Sequence, residues 1–262
     1  MPRCKDCSFF QADACTAHSR AAKEYGRPIP PPPIGACTLA IVDSYRPLIK
    51  RGMRVLEIGC GTWTLLKSIC DEAGAEYQSI DSQNEYFGKP SIATRIENLQ
   101  QLSFEDDAFD LVIGNQTIEH WAEFDCDTQF GLFQCFRVCR QNGMVIMNAP
   151  IHFHGSRPFL LGDFDAIRAL FSRYSDSVVI EAWGEDSDPI PKFYTYRKYG
   201  ALKGKHAFII DIRAVKSKPV GQPPMVVAMP MKLRRWLNYP ASYLAYRALV
   251  KCRLIAESNI SA

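Results

Sequence analysis

The sequence lacks long apolar segments, a secretory leader and a marked excess of either charge. Its apolar runs, such as Val145–Met147 and Phe208–Ile210, are far shorter than the roughly 20 residues that a transmembrane helix needs. The first residues contain no apolar stretch behind a basic start, so we expect a cytoplasmic protein. A net charge of only +3 on 262 residues makes a nucleic-acid partner unexpected.

Cysteine, by contrast, is plentiful, with ten in the chain and four of them close to its start. In a reducing compartment such cysteines more often bind metal or are buried than form disulfides. A Cys-x-x-Cys spacing lets two thiolates bind one ion, and two later cysteines can complete a tetrahedron. Residues 1–37 are therefore predicted to be a Cys-rich segment that binds zinc or an iron–sulfur cluster through Cys4, Cys7, Cys15 and Cys37. His18 is an alternative fourth ligand, and a tail with free thiols is the alternative to a metal site.

Residues 38–218 show a regular alternation of predicted strands and helices. Predicted strands cover residues 54–58, 77–80, 94–96, 111–114, 144–147, 178–182 and 207–212. Predicted helices cover residues 38–49, 64–73, 129–140 and 164–171. Because parallel strands need crossover helices, this alternation predicts one α/β domain with a doubly wound, mostly parallel sheet.

Residues 219–262 differ in composition from the rest of the chain. Between residues 231 and 254, lysines and arginines alternate with aromatic and aliphatic residues, which predicts a basic helical tail interrupted at Pro240. Such a helix either packs on the domain with a solvated basic face or docks on an anionic membrane or a partner.

The segment at residues 55–62, Val-Leu-Glu-Ile-Gly-Cys-Gly-Thr, carries the strongest functional signal. An apolar strand runs into a Gly-x-Gly turn, where glycine lets the backbone bend sharply and approach a ligand. The third glycine of a dinucleotide fingerprint is missing, and Glu57 at the strand end suits a cationic amino-acid group better than a pyrophosphate. Asp81 ends the next predicted strand, where a carboxylate can accept hydrogen bonds from both ribose hydroxyls.

Three later segments extend this pattern. They are the acidic Leu-Ser-Phe-Glu-Asp-Asp-Ala-Phe-Asp segment beginning at residue 102, Ile-Glu-His at residues 118–120, and the helix end Arg-Val-Cys-Arg-Gln-Asn-Gly at residues 137–143. Together with the glycine turn, they resemble the class I S-adenosylmethionine (SAM)-dependent methyltransferases, in particular the group typified by quinone-biosynthesis methyltransferases. The resemblance implies a Rossmann-like sheet with strand order 3-2-1-4-5-7-6, an antiparallel last strand and SAM as the cofactor.

The resemblance also implies which residues contact SAM. The glycine turn and the strand before it would line the methionine end, Asp81 the ribose, residues 98–99 the adenine, and Asn115 the sulfonium. The implied set is Glu57, Gly59, Cys60, Gly61, Asp81, Asn98, Leu99 and Asn115. Two residues depart from the family pattern: Trp63 replaces a third glycine, so its indole must point into the cleft or pack aside, and Asn98 replaces an acidic residue.

Three histidines follow predicted strands at the edge where ligands bind in such sheets. His120 follows the fourth strand, and His152 and His154 follow the fifth. Because histidine titrates near neutral pH, each is a candidate base for a hydroxyl acceptor, with His154 favoured over His152 and His120. In the resembling group, the residue at position 120 often has a structural or metal-linked role instead.

The sequence therefore predicts a methyltransferase that acts on a hydroxyl of a small-molecule acceptor, such as a sugar or a secondary metabolite. An enzyme that methylates nitrogen, carbon or a macromolecule is one alternative. The other is a non-catalytic SAM-binding or metal-sensing module, which Trp63 would favour.

Overall fold

The computed structural model describes residues 40–86, 89–121, 126–151, 156, 158–159, 162–183 and 208–224. The helices are α1 (Leu65–Ala73), α2 (Thr128–Val138) and α3 (Phe164–Phe171). The strands are β1 (Arg54–Ile58), β2 (Glu76–Asp81), β3 (Glu85–Tyr86), β4 (Lys89–Pro90), β5 (Arg95–Ile96), β6 (Phe109–Asn115), β7 (Cys139–Ile151), β8 (Ser177–Trp183) and β9 (Phe208–Val215). None of the helices in these ranges is long and apolar enough to be a membrane span.

Local signals set the ends of the helices. Asp127 precedes α2, and its carboxylate accepts hydrogen bonds from the backbone N–H groups of Gln129 (2.9 Å) and Phe130 (3.2 Å). The carboxylate of Asp163 does the same for α3 through the N–H of Ala166, at 2.9 Å. At the end of α1, Gly74 has a φ of +70°, the left-handed conformation that favours glycine after a helix.

Seven strands form one sheet in the order β5-β2-β1-β6-β7-β9-β8. β5, β2, β1, β6 and β7 run parallel, whereas β9 is antiparallel to both of its neighbours, β7 and β8. Counting only these seven strands along the chain, the order is 3-2-1-4-5-7-6. The predicted fold class, with its strand order and antiparallel last strand, is confirmed.

The structure differs from the predicted elements in three places. A small hairpin of β3 and β4 follows β2; strands of two residues carry no periodic signal that sequence patterns can detect. β7 begins at Cys139, directly after α2, because Cys139 pairs with Phe109 of β6; beyond it, the backbones of Asn142 and Gly143 pair with that of Lys216 at 3.0 and 2.9 Å. The predicted helix over residues 38–49 becomes a helical stretch at residues 40–43 and a 3-10 turn at Arg46–Leu48.

The sheet buries a hydrophobic core on each of its faces. On the α2 face, apolar strand residues such as Leu56, Val112 and Val145 pack with α2 and α3. On the α1 face, strand residues such as Val55 and Ile113 pack with α1 and with residues 41–49.

Candidate cofactor site

The turn after β1 contains two glycines that are needed for different reasons. Both have left-handed backbones, with φ of +68° at Gly59 and +54° at Gly61. A Cβ atom on Gly59 would lie 2.6 Å from the Cγ2 methyl of Thr117, so the protein itself packs against this glycine. A Cβ atom on Gly61 would meet nothing within 4 Å, so the second glycine borders open space. The turn therefore forms a cradle on its Gly61 side.

Asp81 places a buried carboxylate at this cradle. Its side chain is 2% exposed at the end of β2. One oxygen (Oδ2) accepts a hydrogen bond from the Gly61 N–H at 2.8 Å, and the other (Oδ1) from the Gln83 N–H at 3.1 Å. A carboxylate oxygen can accept more than one bond, so both oxygens can also bind ligand hydroxyls.

Glu57 places a second buried carboxylate beside the same turn. Its side chain is 1% exposed and accepts hydrogen bonds from the Tyr77 hydroxyl at 2.6 Å and from Asn115 Nδ2 at 2.8 Å. Burial, together with a smaller contribution from the charge of Asp81, raises the pKa of Glu57 to about 7, although the two hydrogen bonds lower it. Because an opposite charge stabilises the ionised form, a cationic ligand group at Glu57 would restore its negative charge.

The other residues predicted to contact the cofactor surround these carboxylates. Asn98 and Leu99 follow β5, whose Ile96 pairs with Asp81; the Asn98 side chain accepts the Gln100 N–H at 2.9 Å and Leu99 is buried. Cys60 is buried within the turn, where burial raises the pKa of its thiol to about 12. This thiol is therefore protonated at neutral pH.

The side chain of Trp63 packs aside and does not fill the open side of the glycine turn. Its half-buried side chain packs against the hydrophobic core of the α1 face, and its backbone N–H donates to the carbonyl of Cys60 at 3.0 Å. Of the two placements that the sequence left open for this indole, the structure shows packing against the core.

Of the three candidate bases, the structure describes only His120. It follows β6 with a side chain that is largely buried, and its Nε2 atom lies 4.0 Å from Oε1 of the buried Glu119. His152 and His154 lie outside the described residues, as do Cys4, Cys7, Cys15 and Cys37 and the tail from residue 225 onward. Within the described ranges, no three His, Cys, Asp or Glu side chains come together as a metal site.

Sequence reasoning missed Tyr77 and Asn148, which complete the surroundings of Glu57. Tyr77 lies on β2 and donates to the carboxylate, and the fully buried Asn148 lies on β7 and donates to Asn115 Oδ1 at 2.7 Å. For Asn148 the sequence does contain a signal, because this amide directly follows the apolar run Val145–Met147. Burying an unpaired amide in such a strand would be costly, so a polar partner for Asn148 could have been expected.

Comparisons with known proteins agree with this geometry. Residues 56–147, roughly a third of the chain, match a protein family described as a methyltransferase domain. No curated protein matches the sequence.

Several solved structures are similar to the chain. Phosphoethanolamine N-methyltransferase 2 of Haemonchus contortus, in complex with S-adenosyl-L-methionine, has a TM-score of 0.50 and 15% identity over 83% of this chain and 61% of that one. Its complex with phosphomonomethylethanolamine and S-adenosylhomocysteine gives a TM-score of 0.50 and 14% identity over 81% and 60%. A SAM-dependent methyltransferase from Archaeoglobus fulgidus has a TM-score of 0.47 and 19% identity over 68% and 92%.

At these identities the similarity to the Haemonchus contortus enzyme establishes the fold alone, and the chain spans about 60% of the length of that enzyme. The family match covers residues 56–147, which contain the glycine turn and run from β1 into β7, so this part of the chain is similar to a methyltransferase domain in a sheet of the predicted topology.

Proposed function

We propose that the protein binds SAM at the turn after β1 and transfers its methyl group to a hydroxyl of a small-molecule acceptor. The observation that carries this proposal is the pair of buried carboxylates, Glu57 and Asp81, beside the open side of Gly61. Both carboxylates accept hydrogen bonds within the protein, but two buried acids that repel each other are costly, and a nearby cation would offset that cost. SAM offers such cations in its ammonium group and sulfonium, and its two ribose hydroxyls can donate further hydrogen bonds.

Each residue of the site has a role in this proposal. Glu57 and Asn115 hold the amino-acid end, Asp81 accepts the ribose hydroxyls, and Asn98 and Leu99 contact the adenine. Gly59, Cys60 and Gly61 form the turn that lets the backbone approach the ligand. These assignments are supported by the way the fold places all eight side chains or backbones along one edge of the sheet.

The acceptor side requires a proton acceptor from the chain. A bound SAM supplies an activated methyl group, so the protein has to align the acceptor oxygen, exclude water and take up the hydroxyl proton. We assign the proton to His154, with His152 and His120 as the alternatives. His120 is supported by its position after β6, at the same sheet edge as Asn115.

The proposal extends to both ends of the chain. We propose that residues 1–37 bind zinc or an iron–sulfur cluster through Cys4, Cys7, Cys15 and Cys37, and that residues 38–218 form the catalytic domain. The basic tail at 219–262 would pack on that domain or contact an anionic membrane or a partner. We expect the protein to act in the cytoplasm.

Calorimetric titration with SAM and S-adenosylhomocysteine tests the cofactor assignment. Asp81→Asn keeps the side-chain volume but removes the charge that strengthens bonds to the ribose, so we expect it to weaken binding by about 1.5–3 kcal/mol. The matched control is Asp43→Asn, because Asp43 is an exposed aspartate at the end of the helical stretch at residues 40–43. Equal affinities for the parent and Asp81→Asn would contradict the assignment, and no binding by the parent would refute the proposed function.

Incubation with SAM carrying a labelled methyl group, in an extract of small molecules, then identifies the acceptor by product mass. A product labelled on oxygen supports the proposal. A product labelled on nitrogen, on carbon or on a macromolecule would replace the acceptor class, and binding without transfer would indicate a non-catalytic SAM-binding module.

A further inference from the structure

Three polar residues form a row across the α1 face of the sheet. In the strand register, Asn115 of β6 pairs with Asn148 of β7, and Asn148 pairs with Asp211 of β9. All three are buried, and each follows an apolar stretch of its own strand. The row therefore crosses three neighbouring strands at one level, in a face that is otherwise apolar at its centre.

Hydrogen bonds make this row continuous with Glu57. Asn148 donates from Nδ2 to Asn115 Oδ1 at 2.7 Å and to the Tyr45 hydroxyl oxygen at 3.1 Å. The Tyr45 hydroxyl in turn donates to Asp211 Oδ1 at 2.6 Å, and Arg213 Nε donates to Asp211 Oδ2 at 2.7 Å. We call the side chains of Tyr45, Asn115, Asn148 and Asp211 the polar row.

When Glu57 and Asp211, the carboxylates at the two ends of the row, are ionised, they fix the direction of every bond in it. Asp211 can only accept at one end, which makes Tyr45 the donor there. Glu57 accepts at the other end, which turns the Nδ2 group of Asn115 toward Glu57 and its Oδ1 atom toward Asn148. An amide held by partners on both sides has one orientation instead of two.

Asn148 also holds the turn after β6. The Gln116 N–H donates both to the backbone carbonyl of Asn148 at 2.9 Å and to its side-chain oxygen at 3.1 Å. Gln116 has a φ of +51°, a conformation that is unfavourable for a residue other than glycine. The next residue, Thr117, is the one whose methyl packs against Gly59. One buried amide therefore supports both Asn115 and the turn that lies against the glycine loop.

We propose that Asn148 and the Tyr45–Asp211 pair are positioning residues, which hold Asn115 and Glu57 in the orientation that binds the amino-acid end of SAM. They act through Asn115 and do not contact the ligand. This inference rests on the proposed SAM-binding function. It assigns the orientation of one half of that site to residues on β7, on β9 and in the segment before β1.

Two ligands that differ in this half of the molecule test the proposal. S-adenosylhomocysteine has the amino-acid end, whereas 5′-methylthioadenosine lacks it and retains the adenosine. We expect Asn148→Ala to weaken S-adenosylhomocysteine about tenfold or more, because a buried amide loses its partner, and to change the affinity for methylthioadenosine less than about twofold. Tyr45→Phe removes one hydroxyl at the next position of the row and should give the same selectivity with a smaller loss.

Tyr174→Phe is the matched control. Tyr174 is also buried, but it stacks on Phe136 in the core of the α2 face, with ring centroids 4.7 Å apart. This variant should leave both affinities unchanged while reporting the effect of removing the hydroxyl of a core tyrosine outside the polar row. Thermal melting of each variant shows which of them are folded, and Tyr45→Phe decides the question if Asn148→Ala does not fold.

The outcomes separate this inference from the proposed function. A parent protein that binds neither ligand would refute SAM binding and the inference together. A parent that binds both, with row variants that lose both ligands equally or lose neither, would overturn the inference and leave SAM binding intact. Selective loss of S-adenosylhomocysteine supports the positioning role.

Discussion

On the α2 face of the sheet, the inward side chains of the strands are apolar, and aromatic rings from α2 and α3 fill the space above them. On the α1 face, strands β6, β7 and β9 carry apolar side chains and also the buried Asn115, Asn148 and Asp211, which lie at one level of the sheet. The residues that form the contrast are buried on both faces, so exposure to solvent does not explain it. We attribute it to the proposed SAM site, which would need oriented polar groups, whereas shape and volume are enough for the core.

This contrast teaches where a substitution should affect folding and where it should affect binding. The residues of the α2 face contribute through buried apolar area, which has no preferred direction. The polar row contributes through the directions of its hydrogen bonds, which set the orientation of the groups proposed to bind the ligand. Changes on the two faces should therefore separate stability from affinity.

The largest expected effect is on the α2 face. Phe136 is fully buried and lies against both Phe171 and Tyr174, with ring centroids 6.3 and 4.7 Å away. We expect Phe136→Ala to lower the free energy of unfolding by about 3–5 kcal/mol, measured by urea denaturation. Phe130→Ala in the same helix removes a half-buried ring and should cost less. A weaker SAM affinity in protein that is still folded would break the distinction between the two faces.

The two glycines of the turn should separate folding from binding at the site itself. In Gly59→Ala the new methyl would clash with Thr117 on a left-handed backbone, and we expect a loss of about 2–3 kcal/mol in stability. Gly61→Ala meets no protein atom, so it should cost only about 1 kcal/mol in stability while its methyl occupies the space of the ligand. Urea denaturation and calorimetric titration measure the two effects.

A double variant tests whether the clash with Thr117 explains why Gly59→Ala should cost more stability than Gly61→Ala. Thr117→Ser removes the methyl that Gly59→Ala would strike, so the combined variant should regain part of the lost stability. If Gly59→Ala and Gly61→Ala instead change stability and affinity alike, the proposed division of the turn is wrong, in which Gly59 packs on the protein and Gly61 faces the ligand.

The smallest of these effects is the pH dependence that arises from Glu57. Its pKa of about 7 means that the carboxylate, the form that attracts an ammonium group, predominates only above neutrality. We expect the affinity for S-adenosylhomocysteine to be about tenfold weaker at pH 6 than at pH 8, as a single titration across that range implies. Glu57→Gln should bind more weakly and show no such dependence, and a parent affinity that is flat from pH 6 to pH 8 would contradict this assignment.

The stability of the free protein should change with pH in the opposite direction. Because the folded protein holds the Glu57 proton more tightly than the unfolded chain does, the free energy of unfolding should fall as the pH rises from about 4.5 to about 7. Burial also raises the pKa of Asp211, so the contribution of Glu57 is obtained by subtracting the pH profile of Glu57→Gln.

Much of the fold was accessible from the sequence because its signals are local. The apolar run of β1 was predicted with the bounds that the structure shows, as was α3. Asp81 was placed at the end of β2 from a local strand signal, whereas its hydrogen bond from the Gly61 N–H, across 20 residues, is a contact that the structure shows. The hairpin of β3 and β4 was missed because strands of two residues contain no repeat to detect.

The sequence by itself predicted the fold class and placed the glycine turn and the two carboxylates, since each depends on short segments whose geometry is nearly fixed. Only the tertiary structure decided which side chains hydrogen-bond to Glu57 and to its partner Asn115. Asn148 reaches Asn115 across 33 positions of the chain and Tyr45 across 103, and Tyr45 reaches Asp211 across 166. Those partners depend on the register of three strands and on the packing of residues 41–49 against them, and register is a property of the assembled sheet.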